Sequence, residues 1–79
     1  MTRSEFIEMI DTGGDIMFDC DGKRYTILCW WEDGPYIAEQ VTEANRAVFK
    51  DGEALVKGYM VNGKPLEDRI DQIKITFCN

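Results

Sequence analysis

The segment FDCDGKRYTILCWWEDGPYIAEQ, residues 18–40, decides the fold. Asp21-Gly22 stands between alternating apolar residues, and Asp-Gly in that setting is the strongest short-range signal for a two-residue type I′ hairpin. So short a turn fixes the register. It predicts Ile16 opposite Ile27, Met17 opposite Thr26, Phe18 opposite Tyr25, Asp19 opposite Arg24, and Cys20 opposite Lys23. Asp19 and Arg24 carry opposite charges, which favours this alignment. One face then collects Ile16, Phe18, Tyr25, Ile27 and Cys29, and we assign it to the core. Cys20 and Cys29 fall far apart along the hairpin, too far for a disulfide.

Glu32-Asp33-Gly34-Pro35 reads as a four-residue loop before a third strand running from Tyr36 to Val41 or Thr42. Pro35 lacks a backbone donor and suits the loop or the first strand position. With Trp31 opposite Tyr36, Cys29 meets Ala38 and Leu28 meets Glu39. The core face gains Trp31, Tyr36 and Ala38, while the opposite face receives Met17, Leu28, Trp30 and Ile37. The two tryptophans therefore point to opposite sides of the sheet, since neighbouring strand residues alternate. Met17, Leu28, Trp30 and Ile37, ringed by Asp15, Glu32, Asp33 and Glu39, form the candidate partner-binding site: an apolar anchor with an acidic rim. Alternatively the C-terminal helices fold over this face and Trp30 belongs to the core; the sequence leaves both readings open.

Upstream, Phe6, Ile7 and Ile10 share one helical stripe after a cap at Thr2 or Ser4, and Gly13-Gly14 ends the helix. So short a helix is marginal alone and must lie on the sheet. Downstream, Thr42 to Phe49 is either a helical turn or a bend followed by a short strand at Ala47-Val48-Phe49; we favour the strand. Asp51 caps a short helix, Gly52 to Lys57, ending at Gly58. Tyr59-Met60-Val61 is extended and Asn62-Gly63 is a turn. A last helix follows Pro65, with Glu67 and Asp68 in its first turn and Leu66, Ile70 and Ile73 on one face. Lys74 to Phe77 alternates as a terminal strand. The expected fold is one α+β domain over residues 1–79: an N-terminal helix, a three- to four-stranded antiparallel meander and two short C-terminal helices.

Fifteen acids against nine bases give a net charge of −6, which argues against binding nucleic acid phosphates or an anionic membrane and suits a basic protein partner. Acids near the N-terminus interrupt any signal-peptide pattern, and no stretch is apolar enough to span a bilayer, so the expected location is the cytoplasm. Three cysteines without histidine fit no familiar zinc spacing. Asp-Cys-Asp-Gly at 19–22 resembles a calcium loop only superficially, because that pattern would place ligands at Met17 and Leu28. Glu67, Asp68 and Asp71 lie opposite the apolar helical face and read as a solvated surface. We expect no catalytic residue, metal or cofactor, and hence no enzyme.

Gly22-Lys23-Arg24-Tyr25 and Gly63-Lys64-Pro65-Leu66, with residues 49–75 around the second, are similar to a group of small uncharacterised Firmicutes proteins in which a hairpin precedes an acidic-capped helix and a last helix. That resemblance implies a shared fold and transfers no functional residue. In size, charge and topology the chain also looks like acidic anti-CRISPR proteins of mobile elements, some of which set carboxylates where DNA phosphates would bind. Glu32, Asp33, Glu39, Glu43, Asp51 and Glu53 would supply such a set. The expected function is a non-enzymatic protein-binding module, in its most specific form an inhibitor offering carboxylates to a basic groove. The alternative is a small structural or regulatory domain that self-associates, as a weak homodimer, through a sheet edge or the Trp30 face.

Overall fold

The structure is a computed structural model that describes residues 1–30, 34–39 and 46–78, with Cys29 and Trp30 described in the backbone alone. Among the described residues it shows an α+β fold with two α-helices and a five-stranded antiparallel sheet. Helix α1, Arg3–Asp11, starts at a capping box. The Thr2 hydroxyl accepts from the Glu5 amide at 3.1 Å, and the Glu5 carboxylate accepts from the Thr2 amide at 2.9 Å. Phe6 and Ile10, one helical turn apart, are its buried positions.

Strands β1 (Ile16–Cys20) and β2 (Lys23–Trp30) pair in the register the two-residue turn dictates, from Ile16 opposite Ile27 to Cys20 opposite Lys23. Asp21 and Gly22 both take positive φ, 51° and 80°, as a type I′ turn requires. Arg24 Nε donates to Asp19 Oδ1 at 3.1 Å across the strands.

Strand β3, Gly34–Glu39, corrects the second expectation. Gly34 pairs with Trp30, Leu28 with Tyr36, and Ile27 with Ile37. The connection is thus shorter than the four-residue loop expected, and the pairing is displaced by an odd number of residues. An odd displacement exchanges the two faces of a strand. Ile37 moves into the core, fully buried, and Tyr36 moves out of it. Two features favour this register. Ile37 has more apolar surface to bury than Ala38, and Gly34, at φ 91°, packs so tightly that an added Cβ would lie 2.3 Å from the Phe49 carbonyl oxygen. Strand β4, Ala47–Val48, is the short strand favoured at the sequence level and pairs with β3.

Helix α2, Gly52–Gly58, is capped by the Asp51 carboxylate, which accepts from the Ala54 amide at 2.8 Å. The Gly52 amide donates to Asp11 Oδ1 at 2.8 Å, tying the start of α2 to the end of α1. Next, β5 (Met60–Val61) and β6 (Lys64–Pro65) form a minimal hairpin about Asn62-Gly63.

The expected last α-helix is not formed. In its place are two 3-10 turns, Leu66–Asp68 and Ile70–Gln72. Arg69 sits between them at φ −108°, ψ −1°, away from α-helical geometry. Its guanidinium reaches back to the carbonyls of Val61 and Asn62, and Gln72 accepts its third contact. Leu66 and Ile70 remain buried as the apolar spacing required.

Strand β7, Lys74–Cys78, completes the sheet by pairing with β1, so the strand order is β4-β3-β2-β1-β7. The first hairpin lies inside the sheet rather than at the margin of a meander. The core cluster joins Phe6 and Ile10 of α1, Leu55 and Val56 of α2, and Leu66 to one face of the strands.

Gly34→Ala should be severely destabilising, by about 3 kcal/mol or more, because it adds steric overlap with backbone to left-handed strain. Gly22→Ala, with nothing within 4 Å, should cost only the conformational penalty of about 1–2 kcal/mol. Urea denaturation of both variants checks the difference; equal losses would mean that Gly34 is not closely packed.

Candidate protein-binding face

The helices occupy one side of the sheet, and the register places a distinct set of side chains on the other. Direct cross-strand partners share a face. Met17 opposes Thr26, Thr26 opposes Ala38, and Met17 also opposes Phe77. This gives one row, Phe77-Met17-Thr26-Ala38, across four strands. The adjacent row is Leu28-Tyr36-Val48. A third row, Lys74-Asp19-Arg24, is charged and lies toward the Asp21-Gly22 turn.

Phe77 reaches this face through a bulge. Phe18 pairs with Ile75, but Met17 pairs with Phe77, so Thr76 is the extra residue. Without it, Phe77 would share Ile75's side of the strand. The Thr76 hydroxyl donates to the Met17 carbonyl at 3.3 Å and holds the bulge.

The face is small and buried at its centre and bulky at its margins. Thr26 and Ala38 are each 3% exposed, whereas Val48 and Phe77 are 46% and 48% exposed. Met17, Leu28 and Tyr36 are half-buried. The Arg46 guanidinium lies 5.2 Å from the Tyr36 ring centroid, a cation–π contact that leaves an aromatic and a cation side by side. Among the described residues, the buried Thr26 hydroxyl has no hydrogen-bond partner.

Of the seven residues expected at the site, Met17 and Leu28 lie on this face. Ile37 and Glu39 do not: Ile37 is in the core, and Glu39 pairs with Tyr25 on the helix side, 4.0 Å from Lys23 Nζ. Trp30 is placed by its backbone pairing with Gly34, and its side chain lies outside the described residues, as do Glu32 and Asp33. Of the wider acidic set, Glu43 is also outside them, while Asp51 and Glu53 belong to the start of α2 on the helix side. An acidic rim is not assembled on the described part of this face. Sequence reasoning missed Tyr36 and Val48, which depend on the β3 register, and Phe77, which depends on the bulge; the alternation expected for Lys74 to Phe77 was the only available signal for the last.

Opposite this face, Tyr25 and Tyr59 meet edge to face at 6.3 Å beside Glu39. Burial first, and the Glu39 carboxylate second, push both phenols above their ordinary pKa of 10.0. Burial likewise raises the Cys20 thiol, followed by Asp21, while Arg69 opposes them. These are groups held neutral within a packed cluster, not activated nucleophiles.

Among the described residues, no group of three or more His, Cys, Asp or Glu is placed to hold a metal ion. No helix among them is long and apolar enough to cross a membrane. No family model, curated protein or solved structure matches the chain.

Two predictions follow from this geometry. Thr26→Val should stabilise the protein by about 1 kcal/mol, because it removes a buried hydroxyl that has no partner; a lower thermal midpoint would mean that the hydroxyl is satisfied. The raised phenol pKa values favour the neutral rings in the fold. Their contribution is therefore present below pH 10 and lost as pH rises through the folded values. Tyr25→Phe should flatten the alkaline loss of stability, read by denaturation against pH alongside phenolate absorbance.

Proposed function

We propose that this chain is a non-enzymatic protein-binding module that presents the helix-free face of its sheet to a basic protein partner. The observation that carries this reading is the pair of rows Phe77-Met17-Thr26-Ala38 and Leu28-Tyr36-Val48, which no described helix covers. An apolar centre bearing an aromatic and an arginine is the composition of a binding hot spot. Tyr36 with Arg46 supplies that pair, and exposed Val48 and Phe77 flank it.

The net charge of −6 selects the partner's sign through attraction during encounter. Within this reading, inhibition of a nucleic-acid-binding protein is the form in which such charge does most. Glu32 and Asp33 follow β2 in sequence after Trp31 and are the carboxylates we assign to the basic groove. The protein then competes with phosphate for the same cations, as proposed from the likeness to anti-CRISPR proteins.

The test is affinity capture from a lysate of the source organism, followed by binding measurements on the captured protein. Leu28→Lys and Val48→Lys should each weaken binding by about tenfold or more, as expected for hot-spot truncation, while Glu8→Lys on the exposed side of α1 should have little effect. The double variant Glu32→Lys/Asp33→Lys should weaken binding mainly at low salt. A partner bound equally well by the Leu28 and Val48 variants would remove the face from the function. Salt-independent binding would remove the electrostatic part.

A further inference from the structure

Asn62-Gly63 closes the smallest hairpin of the fold. Strands β5 and β6 contribute two residues each, and both turn residues take positive φ, 53° and 85°. Asn62 and Gly63 are exposed, and nothing lies within 4 Å of the place a Cβ on Gly63 would occupy. The chain has three asparagines, at 45, 62 and 79, and Asn62 alone precedes a glycine. A glycine there leaves its backbone nitrogen uncrowded by any Cβ, and so open to reaction with the preceding side chain. The Asn62 side chain also has a structural role. Its amide donates to the carboxylate of Asp21, in the turn of the first hairpin, 41 residues away.

We propose that Asn62 is a site of spontaneous deamidation, and that the reaction breaks the joint between the two turns. The Gly63 backbone nitrogen, giving up its proton to base, attacks the carbonyl carbon of the Asn62 side chain. A bond forms between them, the bond from that carbon to Nδ2 breaks, and Nδ2 leaves as ammonia. Water then opens the succinimide ring at either carbonyl, giving aspartate or isoaspartate. Ring closure requires the backbone to leave the type I′ conformation, so the rate follows the opening of the hairpin. A two-residue ladder at an exposed tip is among the parts of a fold that open most readily. Arg69, which donates to the Val61 and Asn62 carbonyls, is the restraint on that opening. Either product carries a carboxylate where an amide stood. A carboxylate accepts and cannot donate, so Asp21 loses its partner and gains a like charge. Isoaspartate also adds a carbon to the backbone of a turn whose register depends on its length.

Incubation of the purified chain in mildly alkaline buffer, folded and in urea, followed by peptide mapping, tests the site. The folded chain should gain the mass difference between amide and acid at residues 62–63, with isoaspartate detected by an isoaspartyl methyltransferase, and the gain should be faster in urea. Isomerisation at Asp21-Gly22 leaves the mass unchanged, so the two turns are told apart. Asn62→Gln, whose longer side chain would have to close a six-membered ring, should remove the product. A folded chain without the product, under conditions where the urea-unfolded chain forms it, would overturn the proposal, as would a product that survives Asn62→Gln. The effect on the joint is read separately, by urea denaturation of freshly prepared variants. Asn62→Asp should shift the folding equilibrium about threefold or more toward the unfolded state, and adding Asp21→Asn, which exchanges donor and acceptor, should restore most of the loss. An Asn62→Asp chain as stable as the wild type, or a loss that Asp21→Asn leaves in place, would mean that the reaction does not act through this joint.

Discussion

Phe18 stacks on Tyr25 across the first hairpin, ring centroids 5.2 Å apart, and Phe6 meets Phe18 edge-on at 6.1 Å. This aromatic line connects helix to sheet. A chain of 79 residues has surface enough for only one core, so the side of the sheet that Phe6 covers is the side on which every other apolar element must collect. Leu55 and Val56 of α2, Val61 of the small hairpin, and Leu66 and Ile70 of the 3-10 turns all join that cluster. The other side of the sheet carries small residues at its centre and Tyr36, Val48 and Phe77 toward its margins, and its character as a surface follows from the one-sidedness of the core.

The first hairpin was legible because its information is local. Two residues with positive φ set the register, and Asp19 with Arg24 repeats it. The second connection was not legible in the same way. Asp33-Gly34-Pro35 admits several loop lengths, and the choice depends on contacts distant in sequence: Gly34 against the Phe49 carbonyl, and Ile37 against the core. Because the displacement is odd, one misjudged loop exchanged Ile37 for Tyr36 on the candidate face and carried Glu39 to the other side. Glu39 then serves a different role, beside the buried Tyr25 phenol, the partly buried Tyr59 phenol and Lys23.

The C-terminal segment shows a second limit. Leu66, Ile70 and Ile73 have helical spacing; Leu66 and Ile70 are buried as that spacing implies, and Ile73 is partly buried against the same cluster. Burial alone does not demand an α-helix. The Arg69 guanidinium hydrogen-bonds the Val61 and Asn62 carbonyls, and Asn62 in turn donates to the Asp21 carboxylate. The second turn is thereby joined to the first. These contacts hold the segment against the small hairpin while the chain opens at Ile73 (φ −89°, ψ 152°) to enter β7.

That entry has consequences for the whole surface. A regular strand from Lys74 to Cys78 would have placed Ile75 and Phe77 on the same side. The extra residue at Thr76 separates them, leaving Ile75 with Phe18 toward the helices and Phe77 with Met17 toward the open face. Bulges usually twist an edge away from partners. Here the bulge also adds a large aromatic to the exposed row while keeping the inner pairing with β1. The open face and the β7 edge therefore share a residue. A chain selected only for stability would gain more by turning Phe77 toward the core, where aromatic area is worth most. Its place on the outward row is set by the bulge and not by the demands of the core.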